Sequence, residues 1–161
     1  MQLLSLWPNF REHHCHFIAT IGKTSLSRPL AIANAFSIPA FVVFDGDVDK
    51  EDNIKENKRD NACILNLCGI KTNPLSKEII WAENVVMWPT RILDIVKKDI
   101  GDIVWEKAES KVRKENGWEE LRQKNSLLIT GTLEELWKRG EKSAILSKLC
   151  ENIIAFAKKT N

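Results

Sequence analysis

The stretch Phe41-Val42-Val43-Phe44-Asp45-Gly46-Asp47-Val48-Asp49-Lys50 constrains this chain more than any other. Four apolar residues, rich in β-branched and aromatic types, run straight into three alternating aspartates. The apolar run predicts a buried strand, and Gly46 allows the chain to turn at its end. In open α/β sheets, ligands sit just outside the carboxyl ends of strands. Carboxylates placed there are hard oxygen ligands suited to Mg²⁺ or Mn²⁺. Asp45 and Asp47 are therefore the candidate ligands of a divalent metal, with Asp49 nearer the surface.

The flanking sequence predicts the fold around that strand. Strands are expected at Phe17–Ile21 and Ile79–Trp81, with an extended segment at Val85–Trp88. Helices are expected at Ser27–Phe36, burying Leu30, Ile32, Ala33 and Phe36, then at Asn61–Leu67 and Arg91–Ile100. Lys50–Asp60 has no apolar face except Ile54 and reads as an exposed loop or a helix start. Strands alternating with helices over the first 100 residues predict a parallel α/β sheet. Gly101 marks the nearest thing to a boundary. Beyond it the pattern is helical: Ile103–Asn116, Trp118–Glu135 with a break at Gly131, and Ser143–Lys158. The expected organisation is an α/β core over 1–101 and a helical C-terminal extension over 102–161.

Composition narrows the function classes. The chain has 161 residues, 43% hydrophobic and 29% charged, with a net charge of +2. That suits a soluble fold with a core and gives no strong basic footprint. No apolar run approaches the roughly 18 residues that span a bilayer. Cys63, Cys68 and Cys150 have apolar neighbours and read as reduced core residues, so a cytoplasmic location is the default. His13, His14, Cys15 and His16 are ligand types, but four adjacent residues cannot all face one ion. Gly22-Lys23-Thr24-Ser25 matches only the tail of a phosphate-binding loop, since Phe17 stands where its first glycine should be; no ATP site is expected. The tryptophans at 105, 118 and 137 are expected to pack helices rather than stack bases.

Three chemistries compete for the aspartates. In a calcium loop, Asp45, Asp47, Asp49 and Glu56 would hold positions 1, 3, 5 and 12, but Lys50 stands at the turn glycine. A phosphatase of the haloacid dehalogenase type shares a strand followed by D-x-D, but Asp49 departs from its motif. The third is a Toprim metal site, in which carboxylates hold a Mg²⁺ that polarises a phosphodiester.

Three stretches carry the third reading: Gly22-Lys23-Thr24-Ser25-Leu26-Ser27-Arg28-Pro29, Ile38 to Asp47, and Glu83-Asn84-Val85-Val86-Met87-Trp88-Pro89. With the tail around Lys124-Asn125-Ser126, they resemble the Toprim domain of the OLD family of ATP-dependent endonucleases. The resemblance implies a Toprim-like (Rossmann-like) parallel sheet with flanking helices, and metal-dependent cleavage of DNA. It implies Asp45, Asp47, Glu83 and Lys124 as catalytic residues, the first two as ligands of Mg²⁺ or Mn²⁺. Lys23 and Arg28 are expected at a DNA backbone, where phosphate contacts give affinity without sequence information. The family's first Toprim strand with its glutamate, and its ATPase, are expected to lie outside this chain. An ATPase subunit or the missing N-terminal part is then the expected partner, with self-association at the unfilled sheet position as a further expectation. The non-enzyme alternative is a degenerate Toprim module that binds DNA or a protein without cutting.

Overall fold

Val85–Trp88 forms a strand whose four side chains, Val85, Val86, Met87 and Trp88, are all fully buried. Such a run suits the centre of a sheet covered on both faces. In the computed structural model, which describes residues 7–20 and 22–160, it is the central strand of three. We number the strands β1 (Val42–Asp45), β2 (Ile80–Trp81) and β3 (Val85–Trp88), in spatial order β1-β3-β2. The helices are α1 (Trp7–Glu12), α2 (Ser27–Ala35), α3 (Ile54–Leu67), α4 (Ile92–Ile100), α5 (Asp102–Asn116), α6 (Ser126–Lys138) and α7 (Ala144–Thr160).

The fold is α/β with a small mixed sheet. β1 runs parallel to β3, with Val42 beside Val85 and Asp45 beside Trp88. β2 runs antiparallel to β3, with Trp81 beside Val86. Only residues 82–84 separate β2 from β3, and so short a connection cannot make a parallel crossover. Of the expected parallel sheet, the β1–β3 pair alone is parallel among the described residues. The expected strand at Phe17–Ile21 does not form over 17–20, and Ile21 lies outside the described residues.

The described residues divide into two compact units, one built from Asn9–Ile92 and Glu151–Asn161, the other centred on Leu93–Cys150. In the first, Leu30 of α2, Val42 and Phe44 of β1, Ile64, Leu65 and Cys68 at the end of α3, and Val85 and Met87 of β3 form one apolar core. β1 alternates as a half-covered strand should, with Val42 and Phe44 inward and Val43 outward. α2 buries only Leu30; Ile32 and Phe36, expected inside, are exposed.

α3 is longer than its apolar residues predict. Its buried positions are Asn57, Asn61, Ile64 and Leu65, spaced as one helical stripe. The C-terminal half of the stripe is apolar and joins the core. The N-terminal half is amide and faces the turn after β1. Lys50–Asp60, expected as a loop or helix start, is thus a 3₁₀ turn (Glu51–Asn53) followed by the first half of α3.

In the second unit, α5 buries Trp105, Ala108 and Val112, and α6 buries Leu128, Thr132, Glu135 and Leu136. Asn125 caps α6 by accepting from the amides of Leu127 and Leu128. Gly131 does not break α6. A Cβ there would stand 3.0 Å from Val112 Cγ1 and 3.4 Å from Trp118, so glycine serves the close approach of the packed side chains. The four cysteines form no disulfide; Cys68 and Cys150 are buried, whereas Cys63, expected in the core, is exposed.

Candidate functional site at the end of β1

The chain leaves β1 at Asp45, and the next two residues make the turn. Gly46 donates its amide to Trp88 O at 2.6 Å, extending the β1–β3 ladder by one rung. A Cβ on Gly46 would meet Trp88 O at 3.0 Å, Met87 Sδ at 3.3 Å and Asn61 Nδ2 at 3.4 Å, so only glycine allows this approach. Asp47 then adopts a left-handed conformation, φ 53°, which aspartate tolerates better than most residues.

Polar groups of α3 and of the turn before α2 hold this bend. Asn61 Nδ2 donates to Gly46 O at 2.9 Å and to Pro74 O at 2.8 Å. Asn57 Nδ2 donates to Asp47 O at 3.0 Å. Lys23, whose side chain is 10% exposed, donates to Asn57 Oδ1 at 3.0 Å, Gly46 O at 3.1 Å and Asp47 Oδ2 at 3.4 Å. Those three acceptors match the three hydrogens of an ammonium. The sequence expectation set Lys23 against a DNA backbone; the structure turns its ammonium inward onto the turn.

The two carboxylates have different surroundings. Asp45 Oδ1 accepts from the amide of Ile92 at 3.1 Å. Burial raises the Asp45 carboxyl above its ordinary range, and the neighbouring Asp47 adds to this; the Ile92 amide and the lysines oppose it without prevailing. Burial also pushes the Asp47 carboxyl upward, but its contacts with Lys50 and Lys23 outweigh that and hold it below the usual range. Lys50 Nζ lies 2.5 Å from Asp47 Oδ1. For Lys23, loss of solvent lowers the ammonium from its ordinary value despite the Asp47 charge.

Among the described residues, none of the other expected site residues forms a hydrogen bond or ion pair with this bend. Glu83 sits in the turn from β2 to β3, before Val85. The register places Asp45 beside Trp88, so Glu83 lies past the opposite end of β3, a strand that itself spans roughly 10 Å at ordinary rise. It is exposed and pairs with Lys159 at 3.0 Å. Arg28 is exposed on the first turn of α2, in the same unit as the bend. Lys124 is exposed just before α6, in the helical unit. Sequence reasoning missed Asn57, Asn61 and the Lys50 contact. The available signal was the four-residue spacing of Asn57 and Asn61, which continues into Ile64 and Leu65.

Two oxygens of Asp47 and one of Asp45 suit a hard cation, which commonly takes one or two protein carboxylates and completes its shell with water and phosphate oxygens. The donor chemistry therefore fits Mg²⁺ or Mn²⁺. Among the described residues, no three His, Cys, Asp or Glu side chains gather where they could hold a metal. Among them too, no helix is long and apolar enough to cross a membrane.

Residues 2–47 match the family model described as the TOPRIM domain of proteins like the overcoming lysogenization defect (OLD) protein. The matched stretch contains Lys23 and Arg28 and ends on Asp47. It supports a Toprim domain of the OLD type, and with it a nuclease-type or nucleic-acid-related function. Toprim domains generally use Mg²⁺. No curated protein and no solved structure matches the chain.

Proposed function

We propose that this chain carries the Toprim metal site of an OLD-type endonuclease, in which Asp45 and Asp47 hold Mg²⁺ or Mn²⁺ for cleavage of DNA phosphodiesters. The observation that carries the reading is the placement of both carboxylates on a glycine-dependent turn at the carboxyl end of β1, where the family match ends.

The metal, when bound, supplies charge that polarises the phosphodiester and stabilises the leaving oxygen. The chain's own residues prepare for it. Asp45 and Asp47 present hard oxygens, and the Ile92 amide fixes the orientation of Asp45. Asn57, Asn61 and Lys23 hold the turn, so the carboxylates are placed before any ligand arrives. Arg28, exposed on α2, is the side chain assigned to a DNA backbone in this reading. Glu83, at the far end of β3, has no part in this reading. Two carboxylates are few for a precise two-metal site; in this reading the further carboxylate is the glutamate of the family's first Toprim strand, with an ATPase subunit or an N-terminal part of the same protein as the partner the resemblance implies.

A second reading has its own observation: Lys23 and Lys50 already neutralise Asp47. A degenerate module that binds DNA or a protein without cutting would keep such an arrangement. Calorimetric titration of Mn²⁺, with plasmid nicking by the chain alone and with any ATPase found encoded beside it, tests the two. Mn²⁺ binding that the Asp45→Asn/Asp47→Asn double variant lacks supports the metal site. Nicking lost in Asp45→Asn supports the nuclease. Equal Mn²⁺ uptake by wild type and double variant would sink the metal site, and the nuclease reading with it.

A further inference from the structure

Asp47 is held by two lysines that differ in almost every physical respect. Lys23 reaches the turn from another part of the chain, is 10% exposed, and divides its three hydrogens among Asp47 Oδ2, Gly46 O and Asn57 Oδ1. Lys50 comes from the end of the same turn, is 51% exposed, and among the described residues pairs with Asp47 Oδ1. Removing Lys23 would leave the Asn57 amide oxygen without this donor in a part-buried place, and Gly46 O with the Asn61 amide alone. Removing Lys50 exposes one carboxylate oxygen to water, and a part-exposed ion pair of this kind contributes little.

A divalent cation needs a carboxylate oxygen at about 2.0–2.1 Å for Mg²⁺. An ammonium seated on Asp47 Oδ1 occupies part of that oxygen's lone-pair capacity and repels an arriving cation. Lys50 has the freedom to leave, on a flexible four-carbon stem that is half in solvent. Lys23 does not, because its other two acceptors hold it.

We propose that Lys23 is a fixed internal counter-ion that shapes the turn, whereas Lys50 is an exchangeable one that must vacate Asp47 Oδ1 before a divalent cation can bind. This rests on the metal-site reading above and adds regulation to it. Lys50 sets the concentration of divalent ion at which the site loads. Lys23 sets the geometry into which it loads.

The test is Mn²⁺ titration by calorimetry, at low ionic strength, of wild type and four single variants, with melting temperatures recorded in chelator. Lys50→Met is expected to tighten Mn²⁺ binding about five-fold, the upper end for such a pair. Lys50→Arg keeps the charge but grips a carboxylate through two N–H groups, and is expected to weaken Mn²⁺ binding relative to wild type. Lys55→Met removes the same charge from an exposed position on α3 and should shift affinity by less than about two-fold, as screened surface charge does. Lys23→Met should lower the chelator melting temperature by roughly 3–8 °C, whereas Lys50→Met should move it by no more than about 2 °C. Mn²⁺ binding by Lys50→Met where wild type shows none would support the exchange most strongly. Equal shifts from Lys50→Met and Lys55→Met, or tighter binding by Lys50→Arg, would overturn it while leaving the metal site standing. An absence of Mn²⁺ binding in every protein would instead remove the metal site on which it rests.

Discussion

Asp47 and Glu109 are both carboxylates surrounded by donors, one in the α/β unit and one in the helical unit. Glu109, 13% exposed, receives Arg113 through both Nε and Nη2, at 3.0 and 2.8 Å, and the Trp105 indole at 2.9 Å. Lys97 stands 3.7 Å away and also lies over the Trp105 ring. Arg113 in turn donates to the carbonyls of Trp118, Glu119 and Leu121, fixing the chain beyond α5. Every donor to Glu109 is thus committed to something else as well. Asp47 has one such donor, Lys23, and one that is free to swing away, Lys50. The difference separates a staple from a site. A carboxylate held by donors that cannot leave stabilises structure, and one held partly by a donor that can leave is open to another cation.

The largest expected effect is on the staple. Glu109→Ala leaves Arg113 and the Trp105 indole without their shared acceptor, and removing one partner of a buried pair costs about 3–5 kcal/mol. With 13% exposure the lower end, about 3 kcal/mol, is expected in urea unfolding followed by tryptophan fluorescence. A loss below about 1 kcal/mol, as for an ordinary surface pair, would erase the distinction drawn between the two carboxylates.

The next effect separates the frame of the site from its charge. Gly46→Val forces a branched side chain against Trp88 O and should cost about 2–3 kcal/mol by overpacking. Asp47→Asn keeps an acceptor and a residue that tolerates φ 53°, and should cost less than about 1 kcal/mol while abolishing Mn²⁺ affinity. If Asp47→Asn unfolds the chain as readily as Gly46→Val, the carboxylate is itself part of the scaffold.

The smallest effect is in pH. The Asp47 and Glu109 carboxyls both lie below their ordinary range in the fold, because their cationic and N–H partners outweigh burial. The folded chain therefore binds fewer protons than the unfolded chain around pH 4, and stability from these groups, present above the unfolded values, is lost as acid is added. Asp45 has the opposite sign. Burial raises its carboxyl, so the fold favours its protonated form and its contribution declines as pH rises through that range. Acid titration of stability should lose steepness in Glu109→Gln and Asp47→Asn and gain it in Asp45→Asn. A gain of steepness in the first two variants would contradict the assigned electrostatics.

How far the sequence reveals this molecule depends on whether a residue's role matches its polarity. β1 and its aspartates are legible because four apolar residues and alternating acids have few other uses. β3 is legible as an apolar run, and the three residues separating it from β2, too few for a parallel crossover, were the signal that β2 would pair antiparallel. The first half of α3 is hidden, because its inward stripe begins with Asn57 and Asn61 and an apolar count treats amides as surface. Lys23 is hidden too, since a lysine beside a glycine reads as a phosphate ligand until the acceptors around it are seen. Gly131 misleads in the other direction, signalling a break where it permits close packing.

The Asn61 side chain has a mechanical consequence as well as a bonding one. One amide group grips the carbonyls of Gly46 and Pro74, so the bend after β1 and the loop before β2 share a single fastening on α3. Two surface loops would ordinarily fluctuate independently on the nanosecond scale. Fastened together, they move as one body or not at all. A disturbance at the aspartates, whether from an arriving ion or a departing lysine, is transmitted through a helix-borne amide to the loop at Pro74.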